Sequence, residues 1–169
     1  LFRSSTTVLV LSAAELTTSS AREVAALLPL CPALKQLDVS ANPSLRLLPV
    51  SMLRIAATLE TFHCDGCSLV LPPQSMFSTP DENPKRIQEL LSKGSSTTVL
   101  VLSAAELTTS SAREVAALLP LYPALKQLDV SANPGLRCTG AAVLLSAFSG
   151  ELPSTSDRKS TRLNSSHLV

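Results

Sequence analysis

The chain has 169 residues, enough for one core of ordinary size, yet only 3% of them are aromatic against 45% hydrophobic. With no Trp and a single Tyr, any core must be built in thin layers from Leu, Val and Ala. Fourteen Lys and Arg against thirteen Asp and Glu leave a net charge of +1 with no basic run, which argues against phosphate-backbone binding and hence against a nucleic-acid partner.

The chain opens at Leu1 rather than at a methionine, as expected of a fragment or a processed chain. Val8 to Leu11 is apolar, but it is shorter than a secretory core and recurs as Val99 to Leu102, so it reads as a strand. No apolar run is long enough to span a membrane. Next, Ser20 and Glu23 stand three apart before an apolar run, which predicts a helix capped at Ser20. Val24, Leu27 and Leu28 would mark its inner face, and Pro29 would end it. In the following LKQLDVSAN, Leu37 and Val39 are two apart and share one strand face. Lys35, Gln36, Asp38, Ser40 and Ala41 fall on the solvated side.

The segment Ser4 to Arg46 returns as Ser95 to Arg137 at an offset of 91, with two of 43 positions changed, Cys31 to Tyr122 and Ser44 to Gly135. Such near-identity marks a recent duplication or an assembly error. The flanks LLPVSMLRIAATLETF and CTGAAVLLSAFSGE differ and both extend the pattern, which favours a genuine array. Between the copies, Asn83, Pro84 and Gly94 frame a helix over Lys85 to Ser92, and Pro72 to Glu82 reads as a loop bulging from the stack. A tolerated insertion is the ordinary account of that loop, although loops of this kind also carry function.

Inside each copy, apolar residues stand at positions one, four, six and about eleven, with Asn or Cys at nine. The strong instances are Leu34 to Asn42, Leu125 to Asn133, and LETFHCDGCSL from Leu59 to Leu69; weaker ones start at Thr6 and Thr97. These five units resemble the leucine-rich-repeat family, whose pattern is LxxLxLxxN/CxL. Steps of 28 residues, from Leu9 to Leu37 and from Leu100 to Leu128, are similar to the ribonuclease-inhibitor type, as is the helix-like GAAVLLSAF from Gly140 to Phe148. The intervening steps are 25 and 38 residues. The resemblance covers Ser4 to about Phe148. It implies an α/β horseshoe-shaped solenoid over residues 1–156, with short parallel strands on the concave side and helices on the convex side.

The resemblance also implies that the concave face binds a protein partner. In this register that face carries Lys35, Gln36 and Asp38, then Glu60, Thr61, His63 and Asp65, then Val99 and Val101, then Lys126, Gln127 and Asp129. Asn42, Cys67 and Asn133 take the family's turn position, where the side chain hydrogen-bonds backbone after the strand. The expected function is a protein-interaction scaffold. The alternative is the sensor segment of a larger signalling protein, linked to a GTPase or kinase domain outside this chain.

Catalytic and cofactor chemistry has little to rest on. His63 is the only histidine outside the C-terminal tail, no Gly-rich phosphate loop is present, and no carboxylate pair stands in a recognisable setting. Cys64 and Cys67 form a C-x-x-C beside His63, but no second ligand pair accompanies them, so no metal site, cofactor or enzyme activity is expected. Four cysteines without a regular framework favour a reducing, cytoplasmic setting.

From Asp157 the composition turns polar and the repeat stops. DRKSTRLNSSH, Asp157 to His167, matches the translation of a common short-read sequencing adapter, GATCGGAAGAGC followed by ACACGTCTGAACTCCAGTCAC. We hypothesise that residues 157–169 are adapter-derived and disordered. The sequon at Asn164 and His167 then go with them, and without Asp157, Arg158, Lys159 and Arg162 eleven cations face twelve anions, a net charge of about -1. Genomic DNA encoding DRKSTRLNSSH in frame after Ser156 would exclude this origin; its absence is the expected result.

Overall fold

The computed structural model describes residues 5–149, so the expected tail from Asp157 and the boundary at Ser156 lie outside the described residues. The described residues form helices and short parallel strands, divided into two compact units that part between Lys93 and Gly94.

The first unit runs β1 (Val8–Val10), α1 (Thr18–Leu27), β2 (Gln36–Asp38), α2 (Val50–Ala56), β3 (Thr61–His63) and α3 (Asn83–Lys93). The strands pair in parallel in the order β1-β2-β3, and their register aligns Leu9 with Leu37 and Phe62. Each strand is three residues long because the chain turns at once. The carboxylate of Asp38 accepts the Ser40 backbone N–H at 2.8 Å, bending the chain where a longer strand would continue. The inward positions Leu37, Val39, Phe62 and Cys64 are fully buried over Leu45, Leu48, Met52, Leu53 and Ile87. Removing one such leucine from water contributes about 1.5–3 kcal/mol, so this aliphatic layer holds the unit together with little aromatic help.

Helix α1 starts a turn earlier than the sequence pattern indicates. Thr17, extended at φ -104°, caps it: its hydroxyl accepts the Ser20 N–H at 3.2 Å, and the Ser20 hydroxyl accepts the Thr17 N–H at 2.8 Å. Ser20 is thus the third residue of the box and not its cap, and Glu23 plays no part in it. The inner face also differs from expectation. Ala21, Ala25 and Leu28 are buried, Val24 is half-buried, and Leu27 is 47% exposed. The α-helix ends at Leu27, and Pro29 sits within the 3-10 turn that follows at Leu28–Leu30.

The segment expected to bulge between residues 72 and 82 instead lies along the outer edge of β3. The Phe62 N–H donates to the Pro80 carbonyl at 3.1 Å, and the Asn83 amide donates to the Phe62 carbonyl at 2.8 Å. Gln74 donates to the Cys64 carbonyl at 3.3 Å, and Phe77 packs edge-on to Phe62 with ring centroids 6.1 Å apart. An exposed strand edge leaves unpaired N–H and C=O groups, and here the insertion satisfies them. Asn83 therefore does not cap α3 with its side chain, and the helix runs over Asn83–Lys93.

The second unit comprises β4 (Val99–Val101), α4 (Thr109–Leu118), β5 (Gln127–Asp129) and α5 (Arg137–Ser149), with β4 and β5 parallel and Leu100 opposite Leu128. Thr108 and Ser111 repeat the capping box. Helix α4 has the same ten residues as α1, yet Val115, Leu118 and Leu119 are all buried. Helix α5 lies beside it. Gly140 allows the close approach, because a Cβ there would stand 3.2 Å from the Thr109 Cα.

Candidate partner-binding face

Side chains alternate across a strand, so burying Leu37 and Phe62 turns their neighbours outward. In the first unit the register sets Val8, Gln36 and Thr61 in one row and Val10, Asp38 and His63 in the next. Adjacent strands lie about 4.8 Å apart, so each row spans about 10 Å. Val8 and Val10 are 49% and 59% exposed. Across the turn, Asp65 is exposed and its carbonyl accepts the Ala41 N–H at 2.7 Å. Lys35 and Glu60 form an exposed ion pair at 2.8 Å, and the Glu60 carboxylate, by hydrogen bond and charge, raises the Lys35 pKa above its ordinary value. At that exposure the pair is screened by solvent and is a weak source of stability.

Thr61 faces the same way but is 9% exposed, because the insertion covers it: its hydroxyl donates to Asp81 at 3.3 Å. Asp81 is itself exposed and extends the face beyond the expected residues. The repeat pattern gave no sign of it, since Asp81 belongs to a segment with no counterpart in the other repeats.

The second unit carries Val99 and Val101, 46% and 61% exposed, with Gln127 and Asp129 opposite them and Lys126 just before β5. The Ser131 backbone N–H, and then its hydroxyl, hold the Asp129 carboxyl below the usual carboxylate range. The expected contact residues therefore fall on two strand faces, one in each unit.

Both faces depend on the turn residues. The Asn42 amide nitrogen lies 2.7–3.0 Å from the carbonyls of Leu11, Val39 and Ser40, and its oxygen accepts the Leu16 N–H at 2.8 Å. Asn133 does the same with Leu102, Val130, Ser131 and Leu107. Each side chain ties the end of its own strand to the turn of the neighbouring one. Cys67 takes the position in the third repeat and donates its S–H to the Val39 carbonyl at 3.2 Å.

The C-x-x-C pair is placed for packing. Burial is the main cause that pushes the Cys64 thiol up to about 12, and it raises Cys67 as well. Such thiols are poor nucleophiles and poor metal ligands at neutral pH. Among the described residues no group of three or more His, Cys, Asp or Glu is arranged to hold a metal ion, and no helix is long and apolar enough to cross a membrane.

Set against family models, curated proteins and solved structures, the chain matches none of them.

Replacing Asn133 by Ala should lower stability by about 1–3 kcal/mol, because backbone groups of Leu102, Leu107 and Val130 lose their partner in a buried turn. Asn133→Asp should cost at least as much, since a carboxylate keeps the acceptor but faces carbonyl oxygens. A urea midpoint unchanged in both variants would refute the role. Of the four thiols, only Cys138 is exposed, so a thiol reagent at pH 8 should modify one cysteine in the native chain and four in denaturant. Native modification of Cys64 or Cys67, located by peptide mapping, would overturn the packing role of the C-x-x-C pair.

Proposed function

We propose that the chain is part of a leucine-rich-repeat array whose outward strand faces bind a protein partner. The observation that carries this reading is a pair of exposed valines in each unit, Val8 and Val10 on β1 and Val99 and Val101 on β4, on strands whose inward residue is half-buried at Leu9 and buried at Leu100. Aliphatic side chains left in water at fixed positions are what a protein interface covers, and polar neighbours such as Gln36, Asp38, Lys126 and Asp129 suit its rim. Parallel strands recurring once per repeat, helices after each strand, and asparagines bonding backbone across adjacent turns support the repeat assignment. With the tail set aside, cations and anions nearly balance, which gives a phosphate backbone little to hold.

The test places a photo-crosslinking amino acid at Val10, at Val101, and at the helix positions Glu23 and Ala117. Adducts with one common polypeptide should form from the two strand positions and not from the helix positions. For the partner so identified, replacing Lys126 and Asp129 together by Ala should weaken binding about tenfold, near 1.4 kcal/mol, with circular dichroism unchanged. Adducts from the helix positions alone, or unchanged affinity in the double variant, would overturn the assignment.

A further inference from the structure

We propose that the strand face of the first unit is specific for a basic polypeptide segment that carries aliphatic side chains next to its lysines or arginines. The inference rests on the strand-face reading and names the chemistry of the partner. Val8 and Val10 present an open apolar strip on β1, and Asp38 stands one strand away in the same row as Val10. Asp65 lies beyond His63 across the turn, and Asp81 leans over Thr61. The nearby cation, Lys35, is already paired with Glu60, so this group leaves Asp38, Asp65 and Asp81 as an uncompensated acidic flank to the valine strip.

Two features make the flank more than scattered surface charge. Asp38 is half-buried and fixed by the Ser40 backbone N–H and hydroxyl, so a cation meeting it costs little further ordering of that side chain. The second unit supplies an internal comparison, because the duplicated segment gives it the same valines, Gln127 and Asp129, whereas Asp65 and Asp81 lie outside the duplication. Among the described residues, the acidic excess thus belongs to the first unit's face. Valines and carboxylates about 5 Å apart fit a segment in which an aliphatic residue and a cation are neighbours, and they repel an acidic one.

The full 169-residue chain is titrated, with fluorescence anisotropy as the readout, against three labelled octapeptides: alternating Lys and Val, alternating Glu and Val, and alternating Lys and Ser. The Lys-Val probe should bind at least about tenfold tighter than either of the others, and its affinity should fall as salt rises from about 50 to about 500 mM. Joint Asp38→Asn and Asp65→Asn substitution, Asp81→Asn alone, and Val10→Ser should each weaken it about fivefold or more, while Glu23→Gln, which removes an equal charge from helix α1, should leave it unchanged. Asparagine keeps the acceptor for Ser40, so these variants retain the turn. If Val10→Ser weakens binding but the Asp variants do not, the face binds and the charge assignment is overturned. If neither matters, or if the Lys-Val probe does not bind, the strand-face reading of this unit fails with it.

Discussion

The structure depends most on one constraint, the carboxamide that closes the strand-to-helix turns of both duplicated segments. Ala13, Glu15 and Ala41 all sit at φ near +55°, as do Ala104, Glu106 and Ala132 in the second unit. A residue with a side chain pays about 1–2 kcal/mol in that left-handed region, so each turn is a strained stretch of backbone. Asn42 and Asn133 make the strained path the favourable one. Each satisfies carbonyls just before the strained residues and the N–H that follows them toward the helix. In the first unit that N–H belongs to Leu16, next to the Thr17 cap. The same side chain therefore ends a strand, joins two repeats and sets where the helix starts.

The third repeat reaches the same geometry by another route. Cys67 has a single weak donor and bonds one carbonyl where Asn42 and Asn133 meet three. The weaker tie is matched by a smaller strain. At the position of Ala41 and Ala132 this repeat has Gly66, at φ +71°, which adopts the left-handed region without penalty. Gly66 also faces the Ala41 backbone, where a Cβ would stand 3.4 Å from the Ala41 Cα, in ordinary contact. Its requirement is thus conformational rather than steric. Asn with Ala and Cys with Gly are two balanced solutions to one turn.

Much of this was legible in the residues. Period-two spacing of Leu37 and Val39 set the inward and outward sides of the strands, and the Asn/Cys spacing located the turns. What escaped was decided by packing. The helix start went to Thr17 because Asn42 anchors Leu16, a contact 26 residues away that no local window contains. The decapeptide TSSAREVAAL occurs twice with opposite outcomes, Leu27 exposed and Leu118 fully buried, so its inner face is not a property of its own sequence. The insertion looked like a loop because its bonds run to the backbone of Phe62 and Cys64. Backbone partners leave no trace in side-chain pattern. Thr61 was read as solvated because the side chain that covers it, Asp81, comes from that insertion 20 residues away.

The duplication also separates the framework of each unit from the charge of its face. Forty-three nearly identical residues give both units a valine-bearing strand, a glutamine and aspartate strand, and an asparagine turn, and these are the parts that hold backbone and present a surface. Whatever distinguishes one face from the other must come from residues outside the copied segment. In the first unit those are Glu60, His63, Asp65 and Asp81, brought in by the 25-residue step and by the insertion. Glu60 neutralises Lys35, a cation that in the second unit recurs as Lys126 without a Glu60 counterpart in the copied segment. Addition of two exposed carboxylates and pairing of the local cation act in the same direction. A shared framework can in this way carry faces of different charge without any change to the turns that support them.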